Sequence, residues 1–186
     1  MSDRIDLFTT IHKGLRWWLG DLSARLGALD LADPIEAGRL ASELIECLDT
    51  LDAHSEHEET FIAPLLDARG AGRTVDWHAE HTSLDAMASA LRRQAGGLTS
   101  LQLPDPQRAG TVLELYRSLC RFASAVYLHL DDEETRLMPL LWATSSDEEL
   151  AGIMSAFRAR HSEESARLYA RVAAAFTPRE RALLEV

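Results

Sequence analysis

Apolar residues recur along the chain in alternating steps of three and four, the spacing that lays one face of an α-helix against a core. The first series runs Ile5, Phe8, His12, Leu15, Leu19, Leu22, Leu26, Leu29. Asp33-Pro34 predicts the start of a second helix, with the aspartate as cap and the proline in the tolerated first turn. Its series is Leu40, Leu44, Cys47, Leu51, His54, Glu58, Phe61 and Leu65, and Gly70-Ala71-Gly72 ends it. A third helix carries Trp77, His81, Leu84, Ala88, Leu91, Ala95 and Leu98. Pro104-Asp105-Pro106 opens a fourth, with Val112, Leu115, Leu119, Phe122, Val126, His129, Glu133, Leu137 and Leu140. A fifth begins near Ser146-Asp147 with Leu150, Ile153, Phe157, His161, Leu168 and Val172, and a short final helix follows Thr177-Pro178. The pattern predicts an all-α fold. Residues 1–143 form an up-down-up-down antiparallel four-helix bundle with short connections, and residues 144–186 a C-terminal helical extension packed on it.

Six positions break the pattern. His12, His54, Glu58, His81, His129 and Glu133 fall where a hydrophobe is expected. A buried carboxylate without a partner is too costly to leave unexplained, and six such residues on four consecutive helices call for a common one.

Two stretches align without gaps. His54-Ser-Glu-His-Glu58-Glu-Thr-Phe-Ile-Ala-Pro-Leu-Leu66 matches His129-Leu-Asp-Asp-Glu133-Glu-Thr-Arg-Leu-Met-Pro-Leu-Leu141. Upstream of each lies a helix with one seam histidine, His12 and His81. From His12 to Leu29 and back from Pro34 to His54 the chain travels about 26 and 30 Å, so the two imidazoles of that pair meet at one level. The second pair, His81 to Leu98 against Asp105 to His129, is less balanced at about 26 and 36 Å. Within each His-x-x-x-Glu, four residues make just over one turn, so both side chains point inward. Four imidazoles and two carboxylates converging in a bundle make a two-metal site, the carboxylates bridging ions about 3.5–4 Å apart. Imidazole with carboxylate and no thiolate suits iron, and also manganese or zinc.

Composition narrows the alternatives. Of 186 residues 46% are hydrophobic and 26% charged, an ordinary globular mixture, and six prolines and ten glycines leave most of it free to be helical. The formal net charge of −11 argues against nucleic acid as a partner. No basic amphipathic segment addresses a membrane, and charges break every apolar stretch before it could span one. The opening Met1-Ser2-Asp3-Arg4-Ile5-Asp6 is polar where a secretion signal needs an apolar run, so a cytoplasmic location is expected. Cys47 and Cys120 stand alone and read as inert buried thiols.

The order His, His-x-x-x-Glu, His, His-x-x-x-Glu, with Glu-Glu-x-x-x-x-Pro-Leu in each pair, resembles the hemerythrin-like family of HHE cation-binding domains over about residues 5–141. The resemblance implies that His12, His54, His81 and His129 ligate two non-haem iron ions, joined by an oxo or hydroxo bridge, and that Glu58 and Glu133 bridge them. It further implies a small partner (oxygen, nitric oxide or peroxide). Oxygen-carrying members have a second histidine four residues along the third helix. Here the pair is His78 and His81, spaced by three, and no His-x-x-x-His occurs. That departure points away from reversible oxygen carriage and toward sensing, scavenging or iron handling, in a monomer or homodimer.

Other polar residues are expected to play supporting parts. His57 and Glu59 sit at the edge of the seam, His78 is one position off it and a possible extra ligand, and His161, with Glu164 one turn on, caps the centre from the fifth helix or adds to it. Trp17, Trp18, Trp77 and Trp142 are expected to fill the core and bundle ends. Two other functions are weighed. A ferritin-like carboxylate enzyme would need Glu-x-x-His, which is absent, and a hydrolase motif is absent too. A metal-free or zinc-binding helical interaction module remains, and the metal-free form predicts tolerance of His129→Ala.

Overall fold

The computed structural model describes residues 4–30, 33–69, 74–99, 105–160 and 168–184, and among them no strand occurs. Helix α1 spans Thr9–Gly27. Its first turn is held by Asp6, whose carboxylate accepts from the amides of Phe8 and Thr9 and from the Thr9 hydroxyl. Helix α2 spans Pro34–Phe61, with Asp33 accepting from the amides of Ile35 and Glu36 as the Asp33-Pro34 signature predicts. Then come α3 (Ala63–Ala68), α4 (Thr74–Thr99), α5 (Asp105–Asp132), a π-helical turn (Glu133–Leu137), α6 (Met138–Thr144) and α7 (Asp147–Arg160). Helix α8 is described over residues 168–172; it passes into a 3₁₀ turn at Ala173–Ala175, and α9 is Pro178–Leu184. The glycine stop Gly70-Ala71-Gly72, Pro104, and His161 with Glu164 lie outside the described residues.

The long helices α1, α2, α4 and α5 touch in a ring: α1 with α2, α2 with α4, α4 with α5, and α5 with α1. Their inner faces are the predicted ones. Leu15, Leu19, Leu22 and Leu26 from α1 meet Leu40, Leu44, Cys47, Leu48 and Leu51 from α2. Ala88, Leu91 and Ala95 from α4, and Leu115, Leu119, Phe122 and Val126 from α5, complete that cluster. Each large side chain so buried contributes roughly 1.5–3 kcal/mol against the entropy of ordering the chain. Residues beyond α7 join the same core, with Val172 fully buried and Phe176 nearly so. The contact of Val172 with α1 is close: a Cβ on Gly14 would lie 2.7 Å from Val172 Cγ2.

Two expected helices are interrupted, each at the equivalent place. The second, expected to run unbroken to Gly70, breaks at Ile62; the fourth, expected to stay regular to Leu140, widens into the π-helical turn. The cause is the proline of each repeat. Pro64 and Pro139 have no N–H for the carbonyl four residues back, and their rings crowd it. In the first copy the chain kinks after the Ile62 amide bonds to the Glu58 carbonyl at 2.8 Å. In the second the Met138 amide reaches back five residues to the Glu133 carbonyl. Beyond both interruptions the inward residues are Ile62 and Leu66, and Leu137 and Leu141. Phe61, Leu65 and Leu140, expected on that face, are only partly buried. Four-residue steps from Glu58 and from Glu133 reach the buried set directly.

Candidate metal centre

A polar layer crosses the bundle between two apolar clusters. On one side lies the main core; on the other lie Leu7, Phe8, Ile62, Leu66, Trp77, Leu137, Met138, Leu141 and Leu150. Each helix crosses the layer in turn: α1 between Phe8 and Leu15, α2 between Leu51 and Ile62, α4 between Trp77 and Ala88, α5 and its π-helical turn between Val126 and Leu137. His12, Glu58, His81, His129 and Glu133 are buried in it, and His54 is half-buried.

The six side chains fall into two overlapping groups. His12, His54, Glu58 and Glu133 each present a donor atom, all within 4.8 Å of one another; so do Glu58, His81, His129 and Glu133. All four imidazoles turn Nε2 inward. His12 Nε2 is 3.1 Å from His54 Nε2, and His81 Nε2 is 3.0 Å from His129 Nε2. Glu58 lies 3.0 Å from His54, 3.5 Å from His81 and 3.8 Å from His12. Glu133 lies 3.2 Å from His129, 3.4 Å from His12 and 4.0 Å from His81. Each carboxylate therefore touches histidines of both groups, the geometry of a bridge.

The donor chemistry fits a pair of cations. Both oxygens of Glu58 and Oε2 of Glu133 are fully buried with no hydrogen-bond partner, and a carboxylate oxygen left so is costly unless an ion takes it. Neutral imidazole nitrogens beside carboxylate oxygens suit iron, manganese or zinc. Outer partners set the rings. Nδ1 of His12 pairs with Glu134 at 2.9 Å, Nδ1 of His81 with Glu59 at 2.7 Å, and Nδ1 of His129 with Glu80 at 2.9 Å. The pairing crosses the repeat: the glutamate after each bridging residue supports the histidine of the other half. Trp77 Nε1 donates to Glu133 Oε1 at 2.6 Å.

With no metal bound, the carboxylates hold protons on His12, His81 and His129. Burial pushes the pKa of His12 down, but Glu134, Glu58 and Glu133 outweigh it and raise it to about 9. Burial likewise opposes the rise of His129, which Glu133 and Glu80 carry to about 9. His81 is also raised, by Glu58 and Glu59 against burial. Burial would raise the Glu58 carboxyl, but His54, His12 and His81 hold it well below the usual range.

All six predicted residues come together. The two possible additions do not join them among the described residues: His78 Nδ1 pairs with Glu59 Oε2 at 2.5 Å, and His161 is not described. His57 stacks on Phe157, with ring centroids 5.7 Å apart. Glu59, expected at the edge, and Glu134 both act on the histidines. Glu80 and the N–H of Trp77 went unforeseen, because their roles depend on how α4 is rotated against α5 and the π-helical turn. Of the tryptophans, Trp18 and Trp77 are buried and Trp142 donates to the Ile5 carbonyl at 2.8 Å. Trp17 does not fill the core: it is 38% exposed, since its neighbour Trp18 takes the inward position.

A cavity of about 730 Å³ opens beside the layer, walled by α1, α2, α7 and α8, and reaches His54 and Glu58. Among the described residues no helix is long and apolar enough to cross a membrane. No curated protein and no solved structure gives a significant match to the chain. One family model does, that of the hemerythrin HHE cation binding domain, over residues 3–99. This span takes in His12, His54, Glu58 and His81, while His129 and Glu133 lie beyond it and reach the same layer through α5 and the π-helical turn. With over half its length matched, the chain belongs to the family of hemerythrin HHE cation binding domains.

Proposed function

We infer that the chain is a non-haem di-iron protein that senses, scavenges or reacts with oxygen, nitric oxide or peroxide, or handles iron. One observation carries the reading: the two donor groups share both carboxylates, and three of the four carboxylate oxygens are buried without a hydrogen bond. His12 and His54 would hold one ion, His81 and His129 the other, with Glu58 and Glu133 bridging. Bound there, the iron pair supplies one-electron chemistry toward a small ligand. The chain's own residues orient the rings through Glu134, Glu59 and Glu80, and exclude water with Phe8, Leu15, Ile62 and Leu137. The cavity reaching His54 and Glu58 gives a small ligand its approach. Manganese or zinc would satisfy the same donors.

The scaffold is read as an up-down-up-down antiparallel bundle over residues 1–143 with 144–186 packed on it, which the ring of helix contacts supports. The setting is read as a reducing cytoplasm, in which the free Cys47 and Cys120 stay reduced, and the protein as a monomer or homodimer. The test compares the chain with its His129→Ala and Glu58→Ala variants, each purified from iron-supplemented cells. Iron should fall sharply in both variants, and nitric oxide should change the absorption of the reduced parent alone. Equal iron in parent and variants, or none in any, would refute the reading in favour of an interaction bundle.

A further inference from the structure

The internal repeat would by itself give two equal metal positions. The residues around the ligands make them unequal. Phe8 and Trp77 occupy the same place, four residues before His12 and His81, and each ring packs on its histidine, with centroids 5.4 and 5.0 Å away. Only the indole carries an N–H, and it is spent on Glu133 Oε1 at 2.6 Å in a buried contact. Neither oxygen of Glu58 has such a donor. Burial of an indole does not force this bond in the chain, since Trp18 Nε1 is buried with no partner.

The histidines divide the same way. His81 and His129 each have a carboxylate oxygen to themselves on Nδ1, Glu59 Oε1 and Glu80 Oε2, while the other oxygen of Glu59 pairs with His78. His12 shares Oε1 of Glu134 with Arg16, whose guanidinium lies 2.5 Å from that oxygen. His54 bonds through Nε2 to His12 and contacts Glu58, and its Nδ1 has no partner among the described residues. Thus His81 and His129 are held from behind and Glu133 by the indole at Oε1, the oxygen that also faces His129 Nε2 at 3.2 Å, whereas of His12, His54 and Glu58 only His12 is held, and by a shared oxygen. A ligand fixed from behind loses less freedom when the ion binds, and a carboxylate on Nδ1 raises the imidazole's basicity.

We propose that the metal position of His81, His129 and Glu133 is the tighter of the two, with Trp77 the positioning residue that fixes Glu133. This rests on the two-metal reading above. Repulsion between adjacent cations weakens whichever ion binds second, so a two-step isotherm alone is no test. Each position is instead measured alone, with Zn²⁺ as the probe against a chromophoric chelator, in His54→Ala and in His129→Ala, with helical content checked by circular dichroism. His54→Ala should hold its ion at least about tenfold more tightly than His129→Ala. Adding Trp77→Phe should weaken Zn²⁺ about tenfold in the His54→Ala background, where Glu133 would ligate through the Oε1 that the indole holds, and less in the His129→Ala background, where Glu133 faces His12 through Oε2. Glu80→Gln, a change at a half-exposed side chain, should repeat that selectivity without touching the core. Equal affinities, the reverse order, or equal weakening of both backgrounds by Trp77→Phe would overturn the proposal, even with two Zn²⁺ bound to the parent. A parent chain that takes up no Zn²⁺ and no iron would instead overturn the two-metal reading beneath it.

Discussion

Metal should enter the centre in exchange for protons, and the number of protons follows from the ring environments. His12 and His129 rest at about 9 in the metal-free protein, against an ordinary 6.5. At pH 7 both are therefore about 99% imidazolium, and an imidazolium cannot ligate. Removing each proton at pH 7 costs about 3 kcal/mol, roughly a hundredfold in affinity. Filling the centre with Zn²⁺ should release about two protons from these rings at pH 7 and about one at pH 9, where each is half-protonated. Titration calorimetry in buffers of differing ionisation enthalpy counts them directly, and His12→Ala should release about one fewer. The same shifts fix the stability trend without metal. A raised histidine pKa stabilises the fold fully below 6.5, and that stability drains away as pH rises through about 9. Metal-free protein should thus melt lower at pH 9 than at pH 6.5, while metal uptake tightens over the same interval. Release of less than about half a proton at pH 7, or a melting temperature that climbs toward pH 9 without metal, would refute the reasoning.

Three further perturbations probe separate parts of the account. Glu58→Leu removes the buried carboxylate that faces His54, His12 and His81 and offsets the charge on the protonated His12 and His81, so metal-free protein should lose about 3–5 kcal/mol at pH 7, while uptake of the metal pair fails; urea unfolding and metal analysis read the two effects. Gly14→Ala gains up to about 1 kcal/mol of helix propensity but forces a Cβ to 2.7 Å from Val172 Cγ2. Overpacking of about 1–3 kcal/mol should win, and Val172→Ala in the same chain should return most of the loss in thermal unfolding. Burial pushes the Cys47 thiol up, so in native protein Cys47 should resist a thiol reagent that labels the half-buried Cys120, and both should react once unfolded.

What the sequence makes legible here is what burial makes expensive. A glutamate every four residues from a histidine, on a face otherwise made of leucine, is cheap only if something pairs with it, so His54, Glu58, His129 and Glu133 declare themselves. His12 and His81 follow from the repeat. The adjacent Glu59 and Glu134 also recur in both copies, which signals a task but not which ring each serves. That depends on helices facing one another across the bundle, and no local pattern encodes it. Glu80 and the Trp77 N–H are hidden for the same reason: one looks like a solvated charge, the other like core. The prolines at 64 and 139 were visible, yet a proline can end a helix, kink it or widen it by one residue. The outcome differs here between two copies of one motif, a kink at Ile62 and a π-helical turn at Glu133–Leu137.

The most direct test of the central claim is the metal content of the parent chain after anaerobic reconstitution with ferrous iron, removal of free metal and exposure to air. The account predicts about two irons per chain, with near-ultraviolet bands of a coupled ferric pair, and loss of both in Glu58→Ala. A stable helical protein that retains no iron, or that retains the same iron without Glu58, would contradict it.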